Sequence, residues 1–170
     1  MKRVMLLLLL TLLLLNACKK DSVKELDYYV YAEKSDNTIF KAIASSAGFK
    51  SLSAKDTLYI GANSGEDHLL IRLIVKKPGV YKSPNLDAIL ITTIGQDVIG
   101  NTYHLNNDTR NMLDITNIDN GLIQGTFGLS FKETTKGLTI APSTVIFSNG
   151  RIRSQIGNNR MDIESFFQKY

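Results

Sequence analysis

The chain has a single cysteine, no tryptophan and only two histidines. One thiol cannot form an internal disulfide, so an exported domain of this composition must be held together by core packing and sheet hydrogen bonds. The histidines, His68 and His104, are too few for a zinc site unless carboxylates complete it. The missing tryptophan removes a common stacking residue of sugar sites, a role that tyrosine can also fill. We therefore expect neither a metal nor a cofactor.

The chain also lacks a strong charge imbalance. Its formal net charge is +4, but two of the basic residues, Lys2 and Arg3, stand in the first three positions. Without that start, 18 basic residues face 16 acidic ones, a net charge of about +2. So small an excess gives no electrostatic footprint for nucleic acid, and no nucleic-acid partner is expected.

The N-terminus carries the one long hydrophobic run. A positive start precedes an apolar stretch at residues 4–15, which ends in Leu15-Asn16-Ala17-Cys18. This arrangement is typical of a secretory signal peptide, and the run is shorter than the roughly 20 residues that a membrane span needs. The last four residues resemble the bacterial lipoprotein box, whose cysteine is diacylated after cleavage. We expect residues 1–17 to be removed and Cys18 to anchor the protein in a membrane by lipid.

Residues 19–27 are polar and without periodicity, as in a flexible tether. We therefore assign residues 18–27 to the lipidated N-terminus and tether, and residues 28–170 to a single domain. Lys19, directly after Cys18, stands where an aspartate retains some lipoproteins in the inner membrane. By that resemblance the outer membrane is expected, with the periplasmic and the surface-facing side both open.

Beyond residue 28 the apolar pattern is that of β-strands. Residues 122–133 alternate strictly between apolar and polar side chains. In the segment 112–118 before them, Leu113 and Ile115 alternate with Asp114 and Thr116. Asp119-Asn120-Gly121 between the two predicts a type I′ hairpin turn. Further strands are predicted at residues 28–33, 39–44, 48–52, 56–63, 68–76, 88–94, 98–104 and 144–156, the first three being also compatible with a mixture of helix and strand. This pattern indicates an all-β fold, an antiparallel sandwich or flattened barrel of about 8–10 strands.

Three local features complete the predicted fold. Asn149-Gly150, inside the last strand, is expected to form a bulge or a second tight hairpin. Tyr29 and Tyr31 share a strand face and are expected to be buried at one end of the core, although such rings also stack on sugars. Residues 161–170 are expected to form a short C-terminal helix packed on the sandwich. Its apolar face consists of Ile163, Phe166, Phe167 and Tyr170.

Residues 113–119, 121–131 and 145–152 together resemble a family of uncharacterised lipoprotein domains from Bacteroidota. That family carries a lipobox, a G-Y element (here Gly79-Val80-Tyr81), an I-x-G-T-F-x-F strand and a final I-T-N-G-x-F strand. In this chain the final strand reads I-F-S-N-G-R-I, with Ile152 in the place of the usual aromatic residue. The resemblance covers residues 55–155 and implies a β domain on a lipid anchor. It brings no established function and no catalytic residues.

Asp67 and His68 follow Glu66 at a strand start, where an Asp–His pair with a serine nucleophile is conceivable. No G-x-S-x-G elbow or other nucleophile motif accompanies them. A surface histidine beside a polar turn is the simpler interpretation. We therefore expect no enzymatic activity and no catalytic residues, and an envelope hydrolase using Asp67 and His68 is the least favoured alternative.

Residues 106–108 and 117–121 offer clustered Asn and Asp oxygens of the kind that calcium takes. Neither segment reproduces the D-x-[DN]-x-[DN]-G loop with its distant glutamate. Asn and Asp are also the residues that tight turns use for their own backbone, so turn chemistry is the favoured interpretation.

Arg151, Arg153 and Gln155 project from one face of a predicted strand. Two cations and an amide in a row suit an anionic sugar or a phosphate, which makes these three the candidate ligand-binding residues. The alternative is a solvated sheet face, or charges that protect a sheet edge from unwanted strand pairing.

Two tripeptides resemble the D-[ST]-aliphatic acceptor for O-glycosylation of exported Bacteroidota proteins. Asp21-Ser22-Val23 lies in the tether, where access is free, and Asp56-Thr57-Leu58 lies in a predicted strand. Ser22 and Thr57 are therefore candidate glycosylation sites, and Ser22 is the better of the two.

The sequence favours a lipid-anchored cell-envelope lipoprotein with a non-catalytic binding or interaction domain. Its partners would be the membrane, through the lipid on Cys18, and a glycan, a peptide or a neighbouring envelope protein. A lipocalin-like carrier of a small apolar ligand is the main alternative, and it requires an interior cavity instead of a filled core.

Overall fold

The computed structural model describes residues 28–42, 45–52, 55–74, 77–95, 98–137 and 140–157. These residues form eleven β-strands and no helix, and none of them therefore belongs to a helix that could cross a membrane. The strands are β1 (Tyr29–Lys34), β2 (Ile39–Ala42), β3 (Ser45–Leu52), β4 (Lys55–Ser64), β5 (Asp67–Ile74), β6 (Gly79–Tyr81), β7 (Leu86–Ile94), β8 (Val98–Leu105), β9 (Met112–Asp119), β10 (Leu122–Thr135) and β11 (Thr144–Ile156). The all-β prediction is confirmed, with slightly more strands than expected. The predicted signal peptide, tether and C-terminal helix lie outside the described residues.

The strands form one sheet that folds into two layers. The front layer has the order β2-β1-β11-β10-β9-β6, and the back layer has the order β3-β4-β5-β7-β8. β10 joins the layers at one side, because its first half pairs with β9 and its end pairs with β8. At the other side the end of β11 makes a short parallel contact with β3. The result is a sandwich joined at both sides, in other words a flattened barrel.

The turns follow the predicted chemistry. Asn120 and Gly121 have φ angles of 50° and 75°, the positive values that a type I′ hairpin turn requires. They join β9 to β10, with Asp119 paired to Leu122. Asn149, also with a φ of 50°, lies in β11 at a register shift against β10. A bulge therefore forms at this point, as predicted, and not a second hairpin.

The two layers enclose an apolar core. Alternation along β10 buries Ile123, Phe127 and Phe131, as predicted. Phe147 of β11 packs against Phe40 and Phe131, with ring centroids 5.4 Å and 5.5 Å apart. Each ring pair of this kind adds about 0.5–1.5 kcal/mol beyond the burial of its area. Side chains thus fill the interior that the lipocalin-like alternative would keep open for a ligand.

The prediction that Tyr29 and Tyr31 are buried in the core is wrong. Val30 and Ala32, the alternate residues of β1, are fully buried, so both tyrosines point outward and are only half-buried. The reason is volume. Ala32 is paired with Phe40, and a second ring at that point would overpack the core.

The back layer is covered on both faces. β5 lies between β4 and β7, and its core-facing leucine and isoleucine residues are fully buried. Both faces of β5 are therefore covered, because Leu70, on the opposite face, is buried as well. It belongs to a separate buried cluster, here called the outer cluster, which consists of Tyr59, Leu70, Ile89 and Ile91.

Candidate ligand-binding cleft

The outer face of the front layer carries a cleft with a volume of about 770 Å³. Small-molecule sites in proteins typically have volumes of about 300–1,000 Å³. Most of the lining comes from β1, β10 and β11. Arg151, one of the three candidate residues, lies in this cleft together with Tyr29 and Tyr31. The outward position of the tyrosines thus creates a surface that the sequence prediction had placed in the core.

One row of paired residues crosses the cleft. Lys41 of β2 and Arg151 of β11 are the two cross-strand partners of Tyr31 in β1. Thr126 of β10 follows on the far side of Arg151. Cβ atoms of directly paired residues are about 4.5–5.5 Å apart, so the two cations stand on either side of the tyrosine ring.

A second row borders the first. Asn149 at the bulge donates a hydrogen bond from Nδ2 to Oε2 of Glu33 over 2.8 Å. Glu33 is the one carboxylate among the described lining residues, and this bond holds it at the edge of the cleft. Gly128 of β10 contributes no side chain, and a Cβ placed on it would meet no atom closer than 3.9 Å. Open space therefore remains at Gly128, and a larger residue there would project into the cleft.

The charges of the cleft are not balanced. Arg110 lines the cleft, but its guanidinium Nη2 lies 2.6 Å from Oδ2 of Asp108. The hydrogen bonds from Arg110 lower the pKa of the Asp108 carboxyl to about 2, so the pair stays ionised over the neutral range. Lys41 and Arg151 form no ion pair with any carboxylate in the described ranges. Among the described residues that line the cleft, two cations without an ion pair therefore face one carboxylate, that of Glu33.

Arg153 and Gln155 line a second, smaller cleft of about 290 Å³ on the same face of β11. Arg153 is paired with Tyr29 on one side and with Gln124 on the other. Its Nε is buried and finds no hydrogen-bond partner among the described residues. The structure thus places all three predicted residues on one strand face, but divides them between two neighbouring clefts.

The edge-protection interpretation of Arg151 and Arg153 is wrong. β11 is a central strand, paired with β1 on one side and with β10 on the other. The open edges of the front layer belong to β2 and β6. Charges on β11 therefore protect no edge, which leaves a solvated sheet face or a bound ligand as the explanation of their presence.

Asp67 and His68 have separate partners. Lys34 donates from Nζ to Oδ2 of Asp67 over 2.9 Å. The His68 ring lies with Nδ1 2.9 Å from Oδ1 of Asn63 and with Nε2 3.4 Å from Oγ1 of Thr93. Within the described part of the chain, the Asp–His pair that the hydrolase alternative requires is not formed.

The segment at residues 106–108 uses its polar side chains for its own turn. Asn106 accepts the Asp108 N–H at 2.9 Å through Oδ1 and donates from Nδ2 to Oγ of Ser130 over 2.8 Å. Asp108 in turn accepts the Arg110 N–H at 2.9 Å. These bonds agree with the turn chemistry predicted for this segment. The described residues contain no group of three or more His, Cys, Asp or Glu side chains placed to hold a metal ion.

The two modification candidates differ in position. Thr57 lies in β4 and is only 6% exposed, so its hydroxyl is not presented to a transferase in the folded domain. Burial in a strand paired on both sides is the physical reason that this tripeptide does not suit a glycan acceptor. Ser22 and the lipidation residue Cys18 lie outside the described ranges.

Sequence reasoning found Arg151 but missed its neighbours. Lys41 alternates with Phe40 and Ala42, both fully buried, and this short apolar-polar alternation was the available signal for an outward lysine. Its position beside Tyr31 depends on strand pairing, which no local pattern gives.

Comparison with known proteins adds no assignment. No protein-family model matches the chain, and neither a curated protein nor a solved structure does so. The sequence and the cleft are therefore the basis for assigning a function.

Proposed function

We propose that this protein is a lipid-anchored lipoprotein of the bacterial cell envelope, and that its β domain binds a ligand in the front-layer cleft without catalysing a reaction. The observation that carries the proposal is the row of Lys41, Tyr31 and Arg151 across a cleft of about 770 Å³. Exposed charges contribute little to folding stability even when paired. Two unpaired cations on paired strands are better explained by an external ligand than by a role in the fold.

The anchor in this proposal rests on the leader sequence and Cys18. The experiment is to replace Cys18 by Ser in the full-length chain and to fractionate the cells. We expect the protein to leave the outer-membrane fraction, because no lipid can be attached, while its thermal melt stays unchanged. A collapsed melt would mean that the thiol is structural, and unchanged membrane attachment would remove the lipid anchor from the proposal.

The binding function is tested by site-specific photo-crosslinking in intact cells. A photoreactive amino acid replaces Thr126, which is exposed in the cleft, and the matched control replaces Thr135, which is exposed near the other end of the same strand. We expect a crosslinked product from position 126 and none from position 135. Identical products from both positions, or no product from position 126, would contradict a binding role of the cleft.

A space-filling substitution supplies the second arm. Gly128→Phe projects a ring into the cleft, and no atom lies close enough to a new Cβ to disturb the fold. The substitution should abolish the crosslink from position 126 and leave the thermal melt within a few degrees of the parent protein. A crosslink that survives Gly128→Phe would place the contact outside the cleft.

A further inference from the structure

We infer that the ligand of the front-layer cleft is an acidic saccharide, a sugar that bears carboxylate or other anionic groups. This inference rests on the proposed function and names the ligand class of the same cleft. It follows from three properties of the lining: which groups are free to bind, how the aromatic rings are spaced, and how the charges are placed.

The first property is that only side chains are available for recognition. The cleft lies on the face of β1, β10 and β11, whose backbone groups are engaged in strand pairing. A peptide that added itself as a strand would need an open sheet edge, which this face does not offer. The available groups are tyrosine rings, the Thr126 hydroxyl, the Asn149 amide and the two cations. Hydroxyls, an amide and aromatic faces are the groups that recognise sugars.

The second property is the spacing of the two rings. Tyr29 and Tyr31 are successive outward residues of one strand, which places their Cα atoms about 6.6 Å apart. Tyrosine presents a flat apolar face with a polar tip, so one ring can pack on the C–H face of a sugar while its hydroxyl bonds a substituent. Two such rings in sequence favour a ligand with at least two sugar units.

The third property is the sign of the charge. Lys41 and Arg151 flank Tyr31 and make no ion pair within the described residues, whereas Glu33 is already held by Asn149. A sugar packed on the Tyr31 ring would therefore bring its substituents between two cations. Arginine binds a carboxylate through paired, charge-assisted hydrogen bonds, and lysine adds a point charge. A neutral sugar would leave both cations unused.

The test uses the full-length lipoprotein in detergent and isothermal titration calorimetry. The probe is an oligomer of galacturonic acid, and the matched probe is its fully methyl-esterified form, which keeps the rings and loses the charge. We expect the acid to bind at least about tenfold more tightly than the ester, since hydrogen bonds to charged groups are the stronger ones. A sulfated oligosaccharide of equal length shows whether the anionic group has to be a carboxylate. Equal affinity for acid and ester overturns the inference.

Variants locate the binding. Arg151→Gln and Lys41→Gln should each weaken binding of the acid by about tenfold and leave binding of the ester unchanged. Tyr31→Leu should weaken binding of both probes, and Tyr31→Phe should restore most of the loss. Lys132→Gln is the matched control, because this lysine is exposed on β10 and does not line the cleft. A loss from Lys132→Gln equal to that from Arg151→Gln would reveal non-specific charge attraction and overturn the inference.

Different results contradict the binding function and the saccharide as its ligand. If position 126 crosslinks to an envelope protein while neither oligosaccharide binds, the saccharide inference is wrong and the binding function stands. If inorganic phosphate alone displaces the acid at equal concentration, the cleft recognises an anion and not a sugar, which also overturns the inference. Absence of both crosslink and saccharide binding removes the proposed function itself.

Discussion

Asn111 offers the sharpest test of how the two layers are joined. β10 changes partner along its length, from β9, which pairs up to Gly128, to β8, which pairs from Phe131 onward. Ser130 lies in the gap between the two pairings. Its backbone N–H donates a hydrogen bond of 2.6 Å to Oδ1 of the Asn111 side chain. The Asn111 Nδ2 donates to the Asn106 carbonyl oxygen over 2.7 Å. An amide side chain therefore takes the place of a missing strand partner.

Replacing Asn111 by Ala should destabilise the domain strongly, although the substitution removes only one small side-chain amide. Both Asn111 and Ser130 are buried, at 4% and 5% exposed, so the Ser130 N–H would be left without a partner and away from water. A buried unsatisfied donor costs about 1–3 kcal/mol. The lost bond to the half-buried Asn106 adds about 0.5–1.5 kcal/mol. We expect Asn111→Ala to lower the free energy of unfolding by about 3 kcal/mol.

Urea unfolding measures this loss. With a slope of about 2 kcal/mol per molar urea, the midpoint should fall by about 1.5 M. Asn107→Ala is the matched control, because Asn107 is exposed in the same turn and should change the midpoint by no more than about 0.25 M. Equal midpoints for Asn111→Ala and Asn107→Ala would refute the role of the side chain at the junction.

Two further predictions concern β10 and the turn before β9. Gly125→Ala should destabilise the domain by about 1–3 kcal/mol, because its methyl group would overlap the Asp114 carbonyl oxygen. Gly128→Ala should be tolerated, since no atom lies close to a Cβ at that position. Urea unfolding midpoints compare the two variants, and equal losses of stability would contradict the overlap at Gly125. Arg110→Ala should raise the pKa of Asp108 from about 2 toward the ordinary aspartate value of 3.8, measured by NMR titration of the carboxyl carbon. Because the pKa of Asp108 is depressed in the folded state, the stability that the Asp108–Arg110 pair contributes is present above about pH 4 and is lost as the pH falls toward 2. An Asp108 that titrates near 3.8 in the parent protein would exclude this ion pair.

Most of the fold could be predicted from local patterns. The strict alternation of β10 and the Asn120-Gly121 turn fix a strand and its hairpin within one short segment, so no distant information is needed. The prediction that Tyr29 and Tyr31 are buried was wrong because both faces of β1 are apolar in sequence. Only the volume of Phe40 beside Ala32 decides which face turns inward. Local alternation gives the period of a strand and leaves its facing open in such a case.

The cleft could be predicted only in part, because its residues come from distant places in the chain. Arg151 was identifiable from its own strand, where Arg153 and Gln155 share its face. Its contact with Tyr31 depends on the pairing of β1 with β11. Register between strands so far apart in sequence is set by the packing of the whole barrel, and no short motif encodes it.

The pairing of β1 with β11 also determines when the cleft can form during folding. β1 and β11, the first and last of the described strands, meet within the cleft, so Tyr31 and Arg151 become neighbours only when nearly all of the chain is present. Contacts between such distant segments are slow to form, because a long loop must close before they contribute. A chain whose β11 has not yet joined the sheet has no cleft. The ligand binding that we propose for the cleft therefore requires a domain that is folded from β1 to β11.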